Sequence, residues 1–529
     1  MSARLITNRQ SLIIICTILF LTFLDNTIVS VILSNIQSNL SAGVQDLQWV
    51  VDAYMLVFAV FMLTGGTLGD IFGRKKVLLS GVALFVAGSV VAMLSHSIGM
   101  LVTGRIIMGV GAAASEPGTL SMIRHLYPNH AQRSKALGVW AAVSGIALAF
   151  GPIIGGIIIG FHSSNGGGAS NWRGVFGFSA IFGTIALIAG IKVLPESSDP
   201  KGRKLDITGL LVGAITISSV VVALITGESI GYDSWWIALL FAVSFVSAIG
   251  FILIEKSKKD PVLPLELFKK VQFTVANIIA FTTNFGIFAV FFFVALYLQL
   301  IANFNGNQIA VAFLAMTASI VIAAILAGRW NATHKTIWLT IAGCLISGGG
   351  VFIINAILTP TVSTATLAWA LVMSGIGFGI SLVTMTSSVL NSVPAERSGM
   401  AASTVNTFRE LGGVFGVAIL GAIVNSQLNN KLVLQLRALH IPANFQTLVI
   451  YAITHGGNTP AGVTISPAQL AGHTQLINQV EGAAFGAFGD GLTVALNIAG
   501  TMLISTGVVC IGIYIWRKRE FSKLAVANT

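Results

Sequence analysis

About fourteen apolar runs, each about twenty residues long and separated by short polar connections, follow one another along the chain. They begin near Leu12, Val50, Val77, Met100, Ala136, Trp172, Ile207, Trp236, Gln272, Gln308, Thr336, Leu367, Ser403 and Gly491. A run of that length crosses ~30 Å of hydrocarbon as an α-helix, and a helix bonds its own backbone where no water is present to do so. The fold class that follows is an all-α polytopic membrane protein.

Composition agrees, since 55% of the 529 residues are hydrophobic, only 9% are charged, and the mean hydropathy is +0.88, outside the range of soluble globular domains. A net charge of +11 would suit a nucleic-acid partner if it were gathered on one surface. Instead the bases fall in short clusters between apolar runs: Arg74/Lys75/Lys76, Arg124/Arg133/Lys135, Lys201/Arg203/Lys204, Lys256 to Lys270, Arg329/Lys335 and Arg397. With a cytoplasmic amino terminus and an even number of spans, all of these clusters face the cytoplasm, as does the basic stop Arg517 to Lys523. The charge therefore reads as topology in an inner (plasma) membrane, with both termini inside and no nucleic-acid partner. Arg4 and Arg9 precede the first span, which Asp25 interrupts and no cleavage site follows, so it reads as a retained signal anchor. Cys16, Cys344 and Cys510 lie singly inside apolar runs, so neither disulfides nor a metal site is expected. No GxxxxGK[ST] loop is present, so ATP is not expected as a driving ligand.

Between the second and third runs, GGTLGDIFGRKKVL (Gly65 to Leu78) holds an acid, three consecutive bases and four glycines. Its place in the second half is taken by GRWNATHKTIW, Gly328 to Trp338, a degenerate copy. Repeated halves with a site between them are a common transporter plan. The expected organisation is a six-helix half over 1–200, two inserted helices and a cytoplasmic connector over 201–271, and a second six-helix half over 272–529. A polar external loop is expected at about 425–490, carrying His440, His455 and His473.

Charges in the middle of a span cost about 2.5 to 3.5 kcal/mol each on insertion scales, so those retained face a cavity or a partner. They are few: Asp25 in span 1, Asp52 near the outer end of span 2, Arg105 and Glu116 in span 4, and Arg409 and Glu410 in span 13. Eleven residues return a helix to nearly the same face about 16 Å further on, so one side of span 4 presents both Arg105 and Glu116. They are too far apart to pair with each other, and each is placed to meet Asp25 or another carboxylate across a cavity. Desolvation favours the neutral form of a carboxylate, which suits a group that carries a proton. The alternative for each charge is structural, with Glu410 and Asp52 near enough to an interface to be ordinary interfacial acids. In span 5, AFGPIIGG (Ala149 to Gly156) places Gly151, Pro152, Gly155 and Gly156 inside a helix, as expected of a kinked, close-packed contact between halves. Phe281, Phe285, Phe288 and Phe291 to Phe293 of span 9 are expected to face lipid, with an apolar substrate pocket as the other reading.

These segments resemble the major facilitator superfamily, and within it the fourteen-span drug:proton antiporters of the EmrB/QacA type. GTLGDIFGRKK resembles the hinge signature between spans 2 and 3, which implies that Gly66, Asp70, Gly73, Arg74 and Lys75 form a cytoplasmic gate. LDNTIVSVIL and WVVDAY resemble the signatures of the first two spans, with acids at Asp25 and Asp52. LVTGRIIMGVGAA resembles the fourth-span motif, which implicates Arg105 in proton transfer, and RELGGVFGVAILG resembles a span-13 signature containing Arg409 and Glu410. The chain departs from the pattern at Met108, at Glu410, at Glu116, and at Ser34, which stands where a proline normally closes the first-span motif.

The resemblance implies a proton-coupled antiporter that exports small amphipathic or cationic compounds by alternating access. Asp25, Arg105 and Glu116 would couple protons, and Asp52, Arg409 and Glu410 are further coupling or substrate candidates. The expected partners are a small-molecule substrate, protons and membrane lipid around a monomer; no cofactor and no enzymatic activity are expected. A dedicated exporter of one metabolite or self-made antibiotic is the alternative. A nutrient symporter and a non-transporting receptor are more distant ones.

Overall fold

A computed structural model describes residues 2–163, 172–196, 206–258, 261, 263, 265–304, 306–331, 336–393, 398–438 and 474–527. Every regular element among them is helical. Thirteen helices among the described residues are long and apolar enough to cross a membrane, and the 29-residue helix Val44–Phe72 is the fourteenth long one. In chain order they are α1 (Ser2–Ile28), α2 (Val44–Phe72), α3 (Arg74–Met93), α4 (Ile98–Leu126), α5 (His130–Ser163), α6 (Arg173–Val193), α7 (Ile207–Ile230) and α8 (Trp235–Ser257). The second half contributes α9 (Val271–Ala289), α10 (Gly306–Asn331), α11 (Thr336–Ile357), α12 (Thr364–Asn391), α13 (Ser398–Ala438) and α14 (Thr474–Ala527).

Polar side chains set where several helices begin. Asp46 accepts from the Gly43 N–H at 2.9 Å, Ser97 from the Met100 N–H at 3.3 Å, and Asp206 from the Gly209 N–H at 2.9 Å, satisfying amides that have no intrahelical carbonyl. Only Gly73 separates α2 from α3, and its φ of 104° is open to glycine at little strain. The end of the bundle that carries Gly73 also carries Lys270, which donates to the Ser392 carbonyl at 2.9 Å; it is called here the hinge end. Gly43, Gln299 and Thr361 mark the opposite, distal end.

Small residues let α3 and α4 touch backbone to backbone: a Cβ at Gly81 would meet the Gly111 carbonyl, and one at Gly88 the Gly104 carbonyl. That contact fixes the helix carrying Arg105. α1 packs on α5, α2 on α4, α9 on α13, and α12 on both α10 and α11; α2 meets α13 and α5 meets α10 across the middle of the molecule. α7 and α8 pair through Ser244 and Ser247 against Thr216, and Gln45 of α2 holds α7 by donating to the Ile225 carbonyl at 2.6 Å.

Two expectations are corrected. The polar segment expected as a loop from about 425 continues α13 to Ala438, and α14 already runs from Thr474. Val424, Leu428, Leu432 and Leu436 repeat every fourth residue and are buried, while Asn430 and Leu434 are exposed, the pattern of a helix with one packed face. Polar residues on the other face lowered the mean hydropathy and hid it. Lys431 and Asp490 pair at 2.6 Å between these two extensions. His440, His455 and His473 lie outside the described residues. The second correction is the α9 phenylalanines: Phe285, Phe288 and Phe291 to Phe293 are buried in protein. There α9 passes through a π turn, Val290–Val294, into a last helical segment, Ala295–Leu300. Phe288 packs at Gly413 of α13 and Phe291 stacks on Phe313 of α10, with ring centroids 4.9 Å apart.

Candidate functional site

Asp25 of α1 and Arg105 of α4 form an ion pair through Oδ2 and Nη1, buried to 0% and 1% exposure. Two charges withdrawn from water persist only when their remaining polar atoms are also served. Arg105 meets that demand on three sides: its Nε donates to the Val50 carbonyl of α2 at 2.8 Å, and its guanidinium carbon lies 4.5 Å from the Tyr54 ring centroid. Tyr54 is held in turn by donating from its hydroxyl to the Thr22 carbonyl of α1 at 3.0 Å. Three helices thus converge on one guanidinium. Asp25 Oδ1 receives no hydrogen bond among the described residues and is the free acceptor of the set.

Glu116 lies on α4 on the hinge-end side of Arg105, in the Glu-Pro step of that helix. It is buried, neither carboxylate oxygen has a hydrogen-bond partner among the described residues, and it lies within electrostatic reach of Arg409 and Glu410 of α13. Those two pair with each other, Nη2 to Oε1 at 3.1 Å, and the Arg409 guanidinium lies 4.8 Å from the Phe23 ring centroid of α1. Glu410 is 1% exposed, so it is no interfacial charge. Tyr54 lies within reach of Asp25, Arg105, Glu116 and Glu410 together. One cluster therefore spans α1, α2 and α4 of the first half and α13 of the second.

Asp52 is buried as well, again not interfacial, and neither of its oxygens is hydrogen-bonded among the described residues. One turn before it, the Gln48 amide fills the space over Gly421 of α13, so this face of α2 is turned to the second half. On α5, Gly151 gives its Cβ space to Thr27 and the Ile28 amide, and Gly155 packs on Ile28, so this face seats α1 just beyond Asp25. Pro152 is buried in the same stretch. Gly156 faces the other half, in an apolar groove of about 390 Å³ lined also by Ile153, Ile157, Ala310, Val311 and Leu314. The groove contains no charged side chain, and the charged cluster lies elsewhere.

At the hinge end, Glu196 just beyond α6 accepts from the Lys75 backbone N–H at 3.2 Å, and Lys75 Nζ donates to the Ile191 carbonyl at 2.8 Å. A Cβ at Gly73 would run into the Glu196 carboxylate. Arg74 follows as the first residue of α3. Gly66 and Asp70 fall in the last two turns of α2, and the Asp70 side chain lies outside the described residues.

Sequence reasoning singled out the charges but not Tyr54, the Val50 carbonyl or Glu196. Tyr54 was legible as the aromatic two residues beyond Asp52, and Glu196 as the first acid after an apolar run, opposite a basic hinge.

Long helices in two groups, with acids and arginines buried where the groups meet, define a multi-pass membrane transporter. The chain belongs to the Major Facilitator Superfamily, whose family model matches residues 15–417. It is similar to the methylenomycin A resistance protein of Bacillus subtilis, 31% identical over 79% of this chain and 88% of that protein. It is also similar to the multidrug resistance protein Stp of Mycobacterium tuberculosis, 29% identical over 78% of this chain and 75% of that protein. The fold resembles that of a bacterial homolog to the human lysosomal transporter Spinster, solved in an inward-facing and occupied conformation, with a TM-score of 0.61 at 17% identity over 94% of this chain and 95% of that one.

Proposed function

We infer that this protein exports small amphipathic or cationic compounds across the plasma membrane in exchange for protons, by alternating access, with the hinge end facing the cytoplasm. The observation that carries the reading is the buried cluster in which Asp25 and Arg105 of one half lie beside Glu116 and, across the boundary, Arg409 and Glu410. A proton arriving on Asp25 removes the charge that holds Arg105, frees the guanidinium to reorient, and changes the electrostatic balance at the contact between halves. A cationic compound bound near Glu116 and a proton on Asp25 each add positive charge to one buried cluster, so each disfavours the other, which makes the two exchange. Each charge moving down 100 mV supplies ~2.3 kcal/mol, enough for one proton to sustain export against a concentration gradient. The relatives named for multidrug and methylenomycin A resistance support the outward direction.

Substrate-dependent proton release from the lumen of acid-loaded inside-out vesicles, followed with a fluorescent pH probe, tests antiport, direction and substrate range together. Substrate movement with no proton movement in the opposite direction would sink this reading. The second reading is a dedicated exporter of one compound, supported by the relative named for a single antibiotic. It requires the same screen to return one chemical class instead of several.

A further inference from the structure

α1 does not continue unbroken to the distal end. It stops at Ile28, passes through a tight turn at Val29–Val31 and restarts as the short helix Leu33–Leu40. Such a break leaves backbone groups to be satisfied from elsewhere, because amides in a helix's first turn have no carbonyl one turn earlier in that helix. One side chain from the other half serves two of them. Gln299, in the last turn of the helix that continues α9, accepts from the Ser34 N–H through Oε1 at 2.9 Å and donates from Nε2 to the Val31 carbonyl at 3.2 Å.

The chemistry fits a primary amide, which offers one acceptor and one donor side by side. The setting is sheltered on one side: Val31, Ile32, Leu33 and Leu298 are buried, while Ser34 and Gln299 are themselves half-buried, so the two bonds sit at the edge of the packed contact. Position 34 decides whether the pair of bonds can exist. Proline there has no N–H to donate, and its ring would occupy the space of the Gln299 oxygen; serine supplies the donor.

We propose that Gln299 is a distal gating residue of this chain, an amide clamp that ties the broken segment of α1 to α9 and holds the distal end closed. The proposal rests on the alternating-access reading above. Opening the distal end separates α9 from Val31 and Ser34, so both bonds break together and the exposed groups pass to water. Closure is then all-or-none, and Gln299 positions the segment without touching substrate.

The test is a distance measurement that needs neither substrate nor a pH gradient, so it reads the clamp independently of the transport reading. In full-length protein in lipid nanodiscs, with Cys16, Cys344 and Cys510 replaced by alanine, spin labels at Ser38→Cys and Thr361→Cys report the separation of the halves at the distal end by pulsed electron resonance. Gln299→Leu removes both bonds at similar volume, and the longer-distance population should rise about tenfold relative to the unmodified clamp. Ser34→Pro removes the N–H and crowds the Gln299 amide, so at least one bond is lost, for a rise of at least about threefold; it decides the matter alone if Gln299→Leu does not fold. Distance distributions in these variants that match the parent's would overturn the proposal.

Discussion

Arg105 reaches back 80 residues along the chain to Asp25, and the pair is buried between α1, α2 and α4 with the Arg105 guanidinium over the Tyr54 ring. Neutralising Asp25 while preserving its shape separates charge from packing. Asp25→Asn keeps an acceptor for Arg105 but cannot carry a proton, and it leaves a buried cation uncompensated, a loss of about 3 kcal/mol or more in such pairs. The expected outcome is protein that still inserts, with a lower melting temperature and no pH-gradient-driven efflux in inside-out vesicles. Dye efflux at the wild-type rate by this variant would remove Asp25 from the coupling path.

How much of this arrangement could be read beforehand follows from what each feature depends on. The spans were legible because apolar length is a local property, and Asp25, Arg105 and Glu116 were legible because a charge in an apolar run stands out. The partners were not legible. That Arg105 meets the Val50 carbonyl and the Tyr54 ring depends on where α2 lies against α4, which the close contacts of Gly109 on the Tyr54 carbonyl and of Gly65 on the Ala113 carbonyl help determine. The α13 extension failed for the opposite reason: averaging hydropathy erased a four-residue stripe, Leu428, Leu432 and Leu436, that a periodicity count retains.

Arg105→Lys should be worse than its conserved charge suggests. Lysine has neither the planar fork that serves Asp25 and the Val50 carbonyl together nor the delocalised guanidinium that lies over Tyr54. A loss of about 2 kcal/mol is expected, from one charge-assisted bond and part of a cation–π contact. Tyr54→Phe keeps the ring and removes only the bond to the Thr22 carbonyl, for about 1 kcal/mol. Thermal unfolding in detergent should rank the two in that order, and the reverse ranking would mean that the hydroxyl, not the stacked guanidinium, organises the site.

Glu116 is a buried acid within electrostatic reach of Arg409 and Glu410, and no protein hydrogen bond among the described residues holds its oxygens. Glu116→Gln should therefore cost little in stability and act on substrate choice. Transport of permanently cationic dyes should show KM raised by about tenfold, the worth of one partly desolvated charge contact, with neutral substrates unchanged. An equal effect on both classes would place Glu116 in the coupling path instead of at the substrate.

The hinge makes a prediction about coupling between two residues. Gly73→Ala forces a side chain to adopt φ 104° and drives its Cβ toward the Glu196 carboxylate, which at the same time serves the Lys75 amide at the start of α3. The strain alone is worth about 1 to 3 kcal/mol, and losing the cap about 1 kcal/mol. Glu196→Ala should cost at least the cap, Gly73→Ala should cost the strain plus a displaced cap, and because of the collision the double variant should fall short of their sum. Measured as a double-mutant cycle in melting experiments, the shortfall should reach about 1 kcal/mol. On the proposed reading, in which the hinge governs which end opens and the substrate site lies deeper, both single variants should also slow turnover while leaving substrate KM within about twofold. Strict additivity would place Glu196 outside the hinge, and a raised KM would place the hinge inside the substrate path.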